Sequence, residues 1–315
     1  MRLAIVVPCY NEERRLPVAA FQSWLATAPA DSSLLFVDDG SSDGTRELLE
    51  KLAKGAPRGR CRVLALGVNC GKAEAVRRGL NDALSNECAL SADSLIGFWD
   101  SDLATPLSAI NQLASVLHAQ PRLQMVFAAR VALLGRKIAR NPVRHYLGRV
   151  FATLASLSLD LAIYDTQCGA KLFRVTPTLR AILAPPFLTG WVFDCEIIAR
   201  FAALAAQGKA PEICERPPAI ARSASPAASA TILKDAIYEY PLEEWVDVQG
   251  SKVKPTDILR MALGLVRIRF VYFLREWPSG RPTARLPLVL GTVLAAGLLG
   301  LAVLSMLIEA ATSPR

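Results

Sequence analysis

The sequence predicts an α/β fold: a doubly wound, mostly parallel sheet with helices on both faces, followed by interfacial helices and one C-terminal transmembrane helix. Its first half alternates short apolar runs with helix-like segments, a pattern typical of a parallel sheet. Its C-terminal part contains a long uncharged apolar run. In addition, 52% of the residues are hydrophobic, and the mean hydropathy of +0.30 indicates contact with a membrane.

The elements of the first half follow one another in strict alternation. The predicted strands are rich in β-branched or aromatic residues: Leu3–Val7, Leu34–Val37, Arg62–Leu66, Leu95–Trp99 and Met125–Ala128. The predicted helices between them are Glu12–Ala28, Thr45–Lys54, Lys72–Leu84 and Leu107–His118. Because ligands bind beyond the carboxyl ends of the strands in such sheets, polar residues that directly follow a strand are the candidates for a functional site.

Residues 1–254 are predicted to form one domain, in which residues 212–240, rich in Pro, Ala and Ser, form a loop insertion. Residues 255–285 are expected to form a basic juxtamembrane helix. Between Lys252 and Arg285, eight basic residues stand against two acids. A basic block beside an apolar segment favours anionic headgroups over nucleic acid. Three arginines interrupt the apolar stretch Ile258–Leu274, so an interfacial helix is preferred to a second span.

Leu286–Ile308 is the predicted transmembrane helix. It has 23 residues without a charge, and about 20 residues suffice to cross the hydrocarbon core. Arg281 and Arg285 precede it. Since positive residues stay on the cytoplasmic side, we expect a membrane protein with a single C-terminal span, a cytoplasmic catalytic domain and an external tail at residues 309–315.

Cysteine and histidine do not indicate a metal or disulfide framework. The chain has seven cysteines, an odd number, with no Cys-x-x-Cys pair, and only two histidines. No Gly-x-Gly-x-x-Gly segment follows a predicted strand, which argues against a dehydrogenase. The net charge of +8 is concentrated beside the apolar run, which argues against a nucleic-acid partner.

The first two strands are followed by groups suited to a nucleoside. Pro8 is expected to end the first strand and to expose Tyr10 and Glu12, which suit stacking and hydrogen bonding to a nucleobase. An ordinary helix N-terminus is the alternative explanation of this motif. After the second strand, the Asp39 carboxylate is placed to accept from a base N–H or a ribose hydroxyl, and Gly40 permits a tight turn.

The fourth strand runs into Asp100-Ser101-Asp102. Two carboxylates at this spacing repel one another unless a cation lies between them. A divalent ion bound to a diphosphate is such a cation, because hard cations take oxygen ligands and stabilise a leaving diphosphate. An exposed acidic turn is the alternative.

In this order and spacing the motifs resemble the family 2 inverting glycosyltransferases, which have the GT-A type of α/β fold. The motifs are Pro8–Glu13, Val37–Thr45, Gly71-Lys72 with Ala75-Val76 and Gly79, and Asp100-Ser101-Asp102. The second half is most similar to the dolichyl-phosphate β-glucosyltransferases, kin of the dolichol-phosphate mannosyltransferases. That similarity lies in Asp165–Arg174, Trp191–Glu196 and Gly250–Lys254.

The resemblance implies a role for each matching position. Those that would hold the nucleoside are Pro8, Tyr10, Glu12, Asp39 and Lys72. Asp100 and Ser101 would contact the ribose and diphosphate, and Asp102, with Asp100, would bind Mg²⁺ or Mn²⁺. Arg130 would approach the lipid phosphate or the donor phosphates, and Asp165 and Gln167 would contact the sugar. Arg140 and Arg144 lie in a basic stretch that either docks on the membrane or forms a solvated helix face.

The implied activity is inverting transfer of a hexose, with glucose from UDP-glucose preferred, to a polyprenyl or dolichyl phosphate. Ala104 stands where the mannosyl-transferring relatives have a metal-binding Gln, which puts the metal geometry and mannose specificity in question. The alternatives are another nucleotide sugar such as GDP-mannose, a non-lipid acceptor, or a non-catalytic nucleotide-sugar-binding membrane protein. Homo-oligomer formation is left open.

Overall fold

A computed structural model describes residues 2–86, 93–139, 142–210, 233–248, 255–275 and 291. The strands are β1 Leu3–Cys9, β2 Ser32–Asp38, β3 Cys61–Ala65, β4 Leu95–Trp99, β5 Met125–Ala129, β6 Lys137–Ala139, β7 Ala170–Arg174, β8 Ile237–Pro241 and β9 Glu244–Val246. The α-helices are α1 Val18–Thr27, α2 Thr45–Gly55, α3 Lys72–Asn86, α4 Ala109–Ala119, α5 Pro142–Leu159, α6 Pro177–Leu183, α7 Phe193–Ala206 and α8 Pro255–Arg269. A π-helix, Phe270–Arg275, continues α8.

The central sheet has seven strands in the order β3-β2-β1-β4-β7-β5-β8. Every neighbouring pair is parallel except those made by β7, which runs antiparallel between β4 and β5. The predicted mostly parallel sheet is therefore confirmed. β6 and β9 form a separate parallel pair.

Two hydrophobic cores lie on opposite faces of this sheet. Alternate residues of one strand enter different cores, because successive side chains of a strand point to opposite faces. In β1, Val6 joins the core that includes α3 and α7, whereas Ile5 and Val7 join the core that includes α1, α2 and α4. Helices therefore cover both faces, as predicted.

The chain near the first strand differs from the prediction in two respects. β1 does not end at Pro8, because Pro8 and Cys9 stay paired with Val37 and Asp38 of β2. Helix α1 begins at Val18 rather than at Glu12. The residues between form a turn instead, in which Asn11 has a φ of 52° and the Glu12 N–H donates to Thr45 Oγ1 at 2.7 Å.

The predicted loop insertion at residues 212–240 is wrong at its C-terminal end. Residues 211–232 lie outside the described part, but residues 233–236 are helical and the strand β8 begins at Ile237, pairing with β5. An outer strand needs one neighbour only, so a short half-buried run was sufficient to form it. The motif Gly250–Lys254 lies outside the described residues.

The segment predicted to be an interfacial helix is α8 followed by the π-helix. One side of α8 packs against the body of the protein, where Leu265 and Ile268 are fully buried. The buried Arg269 guanidinium forms an ion pair with Asp160 at 2.9 Å. The predicted transmembrane segment Leu286–Ile308 lies outside the described residues apart from Gly291. Among the helices that are described, none combines the length and apolarity needed to cross a bilayer.

Candidate active site

The loops after β1 and β2 lie side by side and are joined by hydrogen bonds. The Asn11 N–H donates to Ser41 Oγ at 3.1 Å, and the Ser42 N–H donates to Asn11 Oδ1 at 2.9 Å. Tyr10 is exposed at this edge, where its ring is accessible for stacking. The buried Glu12 carboxylate instead accepts hydrogen bonds from the Arg15 guanidinium, the shortest at 2.6 Å, and Pro8 is buried within β1.

Asp39 joins the end of β2 to the loop that precedes α3. Its two carboxylate oxygens accept the N–H groups of Cys70 and Gly71 at 2.7 and 2.9 Å. Burial raises the pKa of the Asp39 carboxyl, although these two hydrogen bonds act in the opposite direction. Asp39 thereby fixes the start of α3, whose first residue is Lys72.

Lys72 and Asp100 bring α3 and the end of β4 together. The Lys72 ammonium lies 2.6 Å from Asp100 Oδ1. Burial lowers the pKa of Lys72, but the charges of Asp100 and Asp194 outweigh that effect and raise it. Next to Asp100, Ser101 is buried and Asp102 is half-buried. Asp102 accepts the Ala104 N–H at 3.1 Å, and burial followed by the charge of Asp100 raises the pKa of its carboxyl.

The Asp100–Asp102 pair fits a divalent ion by the chemistry of its donors. Both offer hard carboxylate oxygens at the carboxyl end of β4, and Lys72 supplies one positive charge against the two carboxylates, which leaves net negative charge for a metal ion to balance. In the described part of the chain, no group of three or more His, Cys, Asp or Glu residues is arranged to hold a metal. An ion held by the pair would complete its coordination with oxygens such as those of a diphosphate or of water.

On the other side of β7, Arg130 and Asp165 form a buried ion pair. Arg130 Nε and Nη2 donate to Asp165 Oδ2 and Oδ1 at 2.6 and 2.8 Å, and the Arg130 N–H donates to Oδ2 at 3.1 Å. Burial alone would raise the pKa of Asp165, but the Arg130 charge and hydrogen bonds lower it to about 2. The Gln167 N–H also donates to Asp165, while its buried side-chain Nε2 has no hydrogen-bond partner among the described residues.

β7 lies between these two groups of residues. Asp100 directly follows β4 on one side of β7, and Arg130 directly follows β5 on the other side. The Asp100 N–H donates to the Gly169 carbonyl at 2.9 Å. The structure therefore assembles most of the expected site along one edge of the sheet. Arg140 and the side chain of Arg144 lie outside the described residues.

Comparison with known proteins decides the family. The model of the family described as "Glycosyl transferase family 2" matches residues 4–179, more than half of the chain. The chain belongs to glycosyl transferase family 2. This match confirms the resemblance drawn from the motifs. It also confirms that the chain is a glycosyltransferase.

Two curated relatives of this family 2 glycosyltransferase carry the same name. A dolichyl-phosphate beta-glucosyltransferase of Dictyostelium discoideum is 28% identical over 87% of this chain and 76% of its own length. The Homo sapiens protein of the same name is 28% identical over 88% and 77%. Among solved structures, glucosyl-3-phosphoglycerate synthase from Mycobacterium tuberculosis, in complex with Mn²⁺, UDP-glucose and phosphoglyceric acid, has a TM-score of 0.54 at 19% identity, over 85% of this chain and 79% of that chain. This likeness shows the GT-A-like fold.

Residues that the motifs quoted without a role also shape the site of the glycosyltransferase. A Cβ atom on Gly169 would overlap the Asp100 carboxylate. Lys171 is fully buried, and its ammonium lies 2.6 Å from Asp194 and over the rings of Phe98 and Phe127. A lysine inside the apolar strand Ala170–Arg174 is a signal that sequence reasoning could have used, because a buried ammonium needs a carboxylate partner.

Glu239 was missed because the prediction placed it in a loop. It lies on β8, and its carboxylate accepts the N–H groups of Tyr164 and Asp165. Its position among apolar and aromatic residues of a strand, Ile237–Pro241, becomes informative only when the strand is recognised.

Proposed function

We propose that this family 2 glycosyltransferase transfers glucose from UDP-glucose to a dolichyl or other polyprenyl phosphate with inversion at the anomeric carbon. Three features support the proposal: an exposed aromatic ring at the nucleoside end, a carboxylate pair for a metal diphosphate, and an arginine on the far side of β7. The shared name of the curated relatives supports the donor sugar and the lipid acceptor.

The donor would lie along the strand ends from β1 to β7. The uracil ring stacks on Tyr10, which is 37% exposed, and the diphosphate reaches Lys72 and Asp100. Asp102 and Asp100 would hold Mg²⁺ or Mn²⁺, which offsets the negative charge that develops on the departing diphosphate. The side-chain Nε2 of Gln167, which has no hydrogen-bond partner among the described residues, would meet the sugar from the segment that leads into β7.

The acceptor phosphate would approach Arg130. A phosphomonoester with a second pKa of about 6 is already largely dianionic at neutral pH, so it attacks without a general base. Its oxygen forms a bond to the anomeric carbon as the bond from that carbon to the diphosphate breaks, and the nucleoside diphosphate leaves with the electron pair. An α-linked donor then gives a β-linked lipid phosphosugar. The protein's task is to position the two substrates and stabilise charge.

Membrane attachment is part of the proposal. Opposite its buried side, α8 exposes Leu259 and Leu263, by 52% and 60%, and Phe270 follows them on the π-helix with 55% exposed. A helix that is apolar on its outer side and carries the exposed guanidinium of Arg260 suits the headgroup boundary of a bilayer. A span at Leu286–Ile308 would hold the domain there, on the cytoplasmic side.

The observation that carries the proposal is the joint presence of the Asp100–Asp102 pair and the Arg130–Asp165 pair on opposite sides of β7. The test is transfer of radiolabelled glucose from UDP-glucose to a polyprenyl phosphate by the purified full chain with Mg²⁺ or Mn²⁺. We expect metal-dependent label in an acid-labile lipid product. Label that appears only in a water-soluble phosphate ester would instead identify a non-lipid acceptor, and label from GDP-mannose alone would exclude the glucose donor.

A further inference from the structure

Glu239 holds the turn that precedes the sugar-facing segment. It lies on β8 directly opposite Phe127 of β5. The Tyr164 N–H donates to both of its carboxylate oxygens, at 2.9 and 2.7 Å, and the Asp165 N–H donates to Oε1 at 2.7 Å. The two backbone groups of this turn are therefore anchored to an outer strand of the sheet.

The anchored Tyr164–Asp165 turn also holds Arg130. Asp165 receives Nε and Nη2 of that guanidinium on its two oxygens, in the parallel arrangement that restricts an arginine most strongly. The Trp245 ring, 5.3 Å from the guanidinium carbon, lies against the same group. The contacts thus run without a break from Glu239 through the backbone of Asp165 to the Arg130 side chain.

One edge of the Arg130 guanidinium is left for a ligand. Among the described residues, no hydrogen bond is made by Nη1, and the side chain keeps 16% of its surface exposed. The pKa of Arg130 is raised by Asp165, which outweighs the effect of burial, so the group stays charged. A fixed, charged guanidinium with a free N–H edge is suited to a phosphate oxygen.

We propose that Glu239 is a positioning residue for the lipid phosphate: it fixes the Tyr164–Asp165 turn and thereby aims Arg130 at the acceptor. This inference rests on the function proposed above and adds to it a residue outside the matched motifs. Glu239 does not itself touch a substrate.

The geometry makes Glu239→Gln an informative change. Tyr164 N–H lies against both carboxylate oxygens, so an amide nitrogen in either position would face that N–H with a donor. The turn would have to shift while the volume of the side chain stays the same. Because misplacement of a positioning group by about 1 Å can cost up to ~100-fold, we expect the KM for polyprenyl phosphate to rise by about tenfold or more.

The experiment compares steady-state constants of the full-length wild type, Glu239→Gln and the control Glu244→Gln, which changes an exposed acid on β9, the next strand along the chain. For Glu239→Gln we expect the KM for polyprenyl phosphate to rise several-fold more than the KM for UDP-glucose, whereas Glu244→Gln should match the wild type in both. An equal rise in both KM values, or none, would overturn the positioning role. Absence of lipid product from the wild type would refute the proposed function instead.

A double-variant cycle separates positioning through Arg130 from a general loss of structure. Arg130→Lys keeps the charge but removes the bidentate hydrogen bonds to Asp165. If Glu239 acts through Arg130, the variant carrying both changes should have the acceptor KM of Arg130→Lys alone. Additive effects of the two changes would contradict the inference.

Discussion

The carboxylate of Asp165 and the guanidinium of Arg130 meet through two parallel hydrogen bonds of 2.6 and 2.8 Å. Both side chains are almost fully enclosed, with 8% and 16% of their surfaces exposed. The resemblance assigned one to the sugar and the other to a phosphate. The structure joins them, so any change to one acts on the other.

Replacement of Asp165 by Asn should therefore destabilise the protein. It leaves a buried guanidinium without its counter-ion, which typically costs about 3–5 kcal/mol in free energy of unfolding. Chemical denaturation at neutral pH measures this loss. The surface pair Arg46–Glu50 provides the control, since Glu50→Gln should cost no more than about 1 kcal/mol. Equal losses in free energy of unfolding in the two variants would show that the buried pair stabilises the protein no more than the surface pair does.

The same pair predicts a pH dependence. The pKa of Asp165 is about 2 in the folded protein against an ordinary value of 3.8. A lowered pKa stabilises the folded state above the unfolded pKa, and this contribution is lost as the pH falls from about 4 towards 2. The wild type should accordingly lose more stability over that range than Asp165→Asn. If the free energy of unfolding falls equally in both proteins between about pH 4 and pH 2, the lowered pKa of Asp165 is contradicted.

Gly169→Ala should impair catalysis while the chain still folds. The φ of Gly169 is one that other residues adopt, but its Cβ would overlap the Asp100 carboxylate. Displacement of that carboxylate should reduce kcat by about 10- to 100-fold. Gly55→Ala is the matched control, because a Cβ there meets nothing within 4 Å. Normal turnover by Gly169→Ala would mean that the position of Asp100 is unimportant.

Asp102→Asn should lose about 100- to 1,000-fold in kcat without unfolding, since it removes a charge that the metal diphosphate requires. Because burial and the neighbouring charge of Asp100 raise the pKa of Asp102 in the metal-free site, protons should compete with the metal for this carboxylate from a higher pH than for an ordinary aspartate. Near-normal rates of the variant in chelator-treated buffer would remove the metal role.

Lys171→Met should leave Asp194 buried without its partner and lower the free energy of unfolding by about 3–5 kcal/mol. The double change Lys171→Met with Asp194→Asn removes both charges and should recover part of that loss. Denaturant unfolding of the single and double variants measures the coupling. If the double variant is destabilised by the sum of both single changes, the ion pair of 2.6 Å does not govern stability here.

Leu259→Asp combined with Leu263→Asp should affect only long-chain acceptors. Both side chains point away from the core on α8, so the fold should persist. We expect several-fold lower activity with polyprenyl phosphate in vesicles and unchanged activity with a short, water-soluble prenyl phosphate. The control replaces Lys51, which is exposed on α2, by Asp. Unchanged activity on vesicles would show that this face does not meet the bilayer.

The sequence predicted the first five strands well because each is a short buried run with turn residues after it. Leu95–Trp99 has the predicted bounds, and the acidic residues that follow it lie where strand ends place ligands. Helix α1 was begun too early because acidic residues after a strand resemble a helix N-terminus, whereas here they bind the neighbouring loop. Local pattern cannot distinguish the two, since the partner lies about 30 residues further along.

The second half was harder to predict because its interactions are non-local. Lys171 and Asp194 are 23 residues apart, and Glu239 reaches back 74 residues to Asp165. The motifs named Asp165 and Arg130 separately, but nothing in their spacing indicated that they bind each other. Such contacts follow only from the insertion of β7 between β4 and β5, which no periodicity in the sequence specifies.

The position of β7 also determines the order in which the protein can be completed during synthesis. Both sheet partners of β5, namely β7 and β8, come later in the chain. When Ala129 leaves the ribosome, β5 has no strand to pair with, and β4 has an open side next to it. About 40 further residues must emerge before β7 closes this gap. An apolar strand without a paired neighbour is prone to aggregate. A nascent chain that stalls before Ala170 would therefore be a substrate for chaperones rather than a stable folding intermediate.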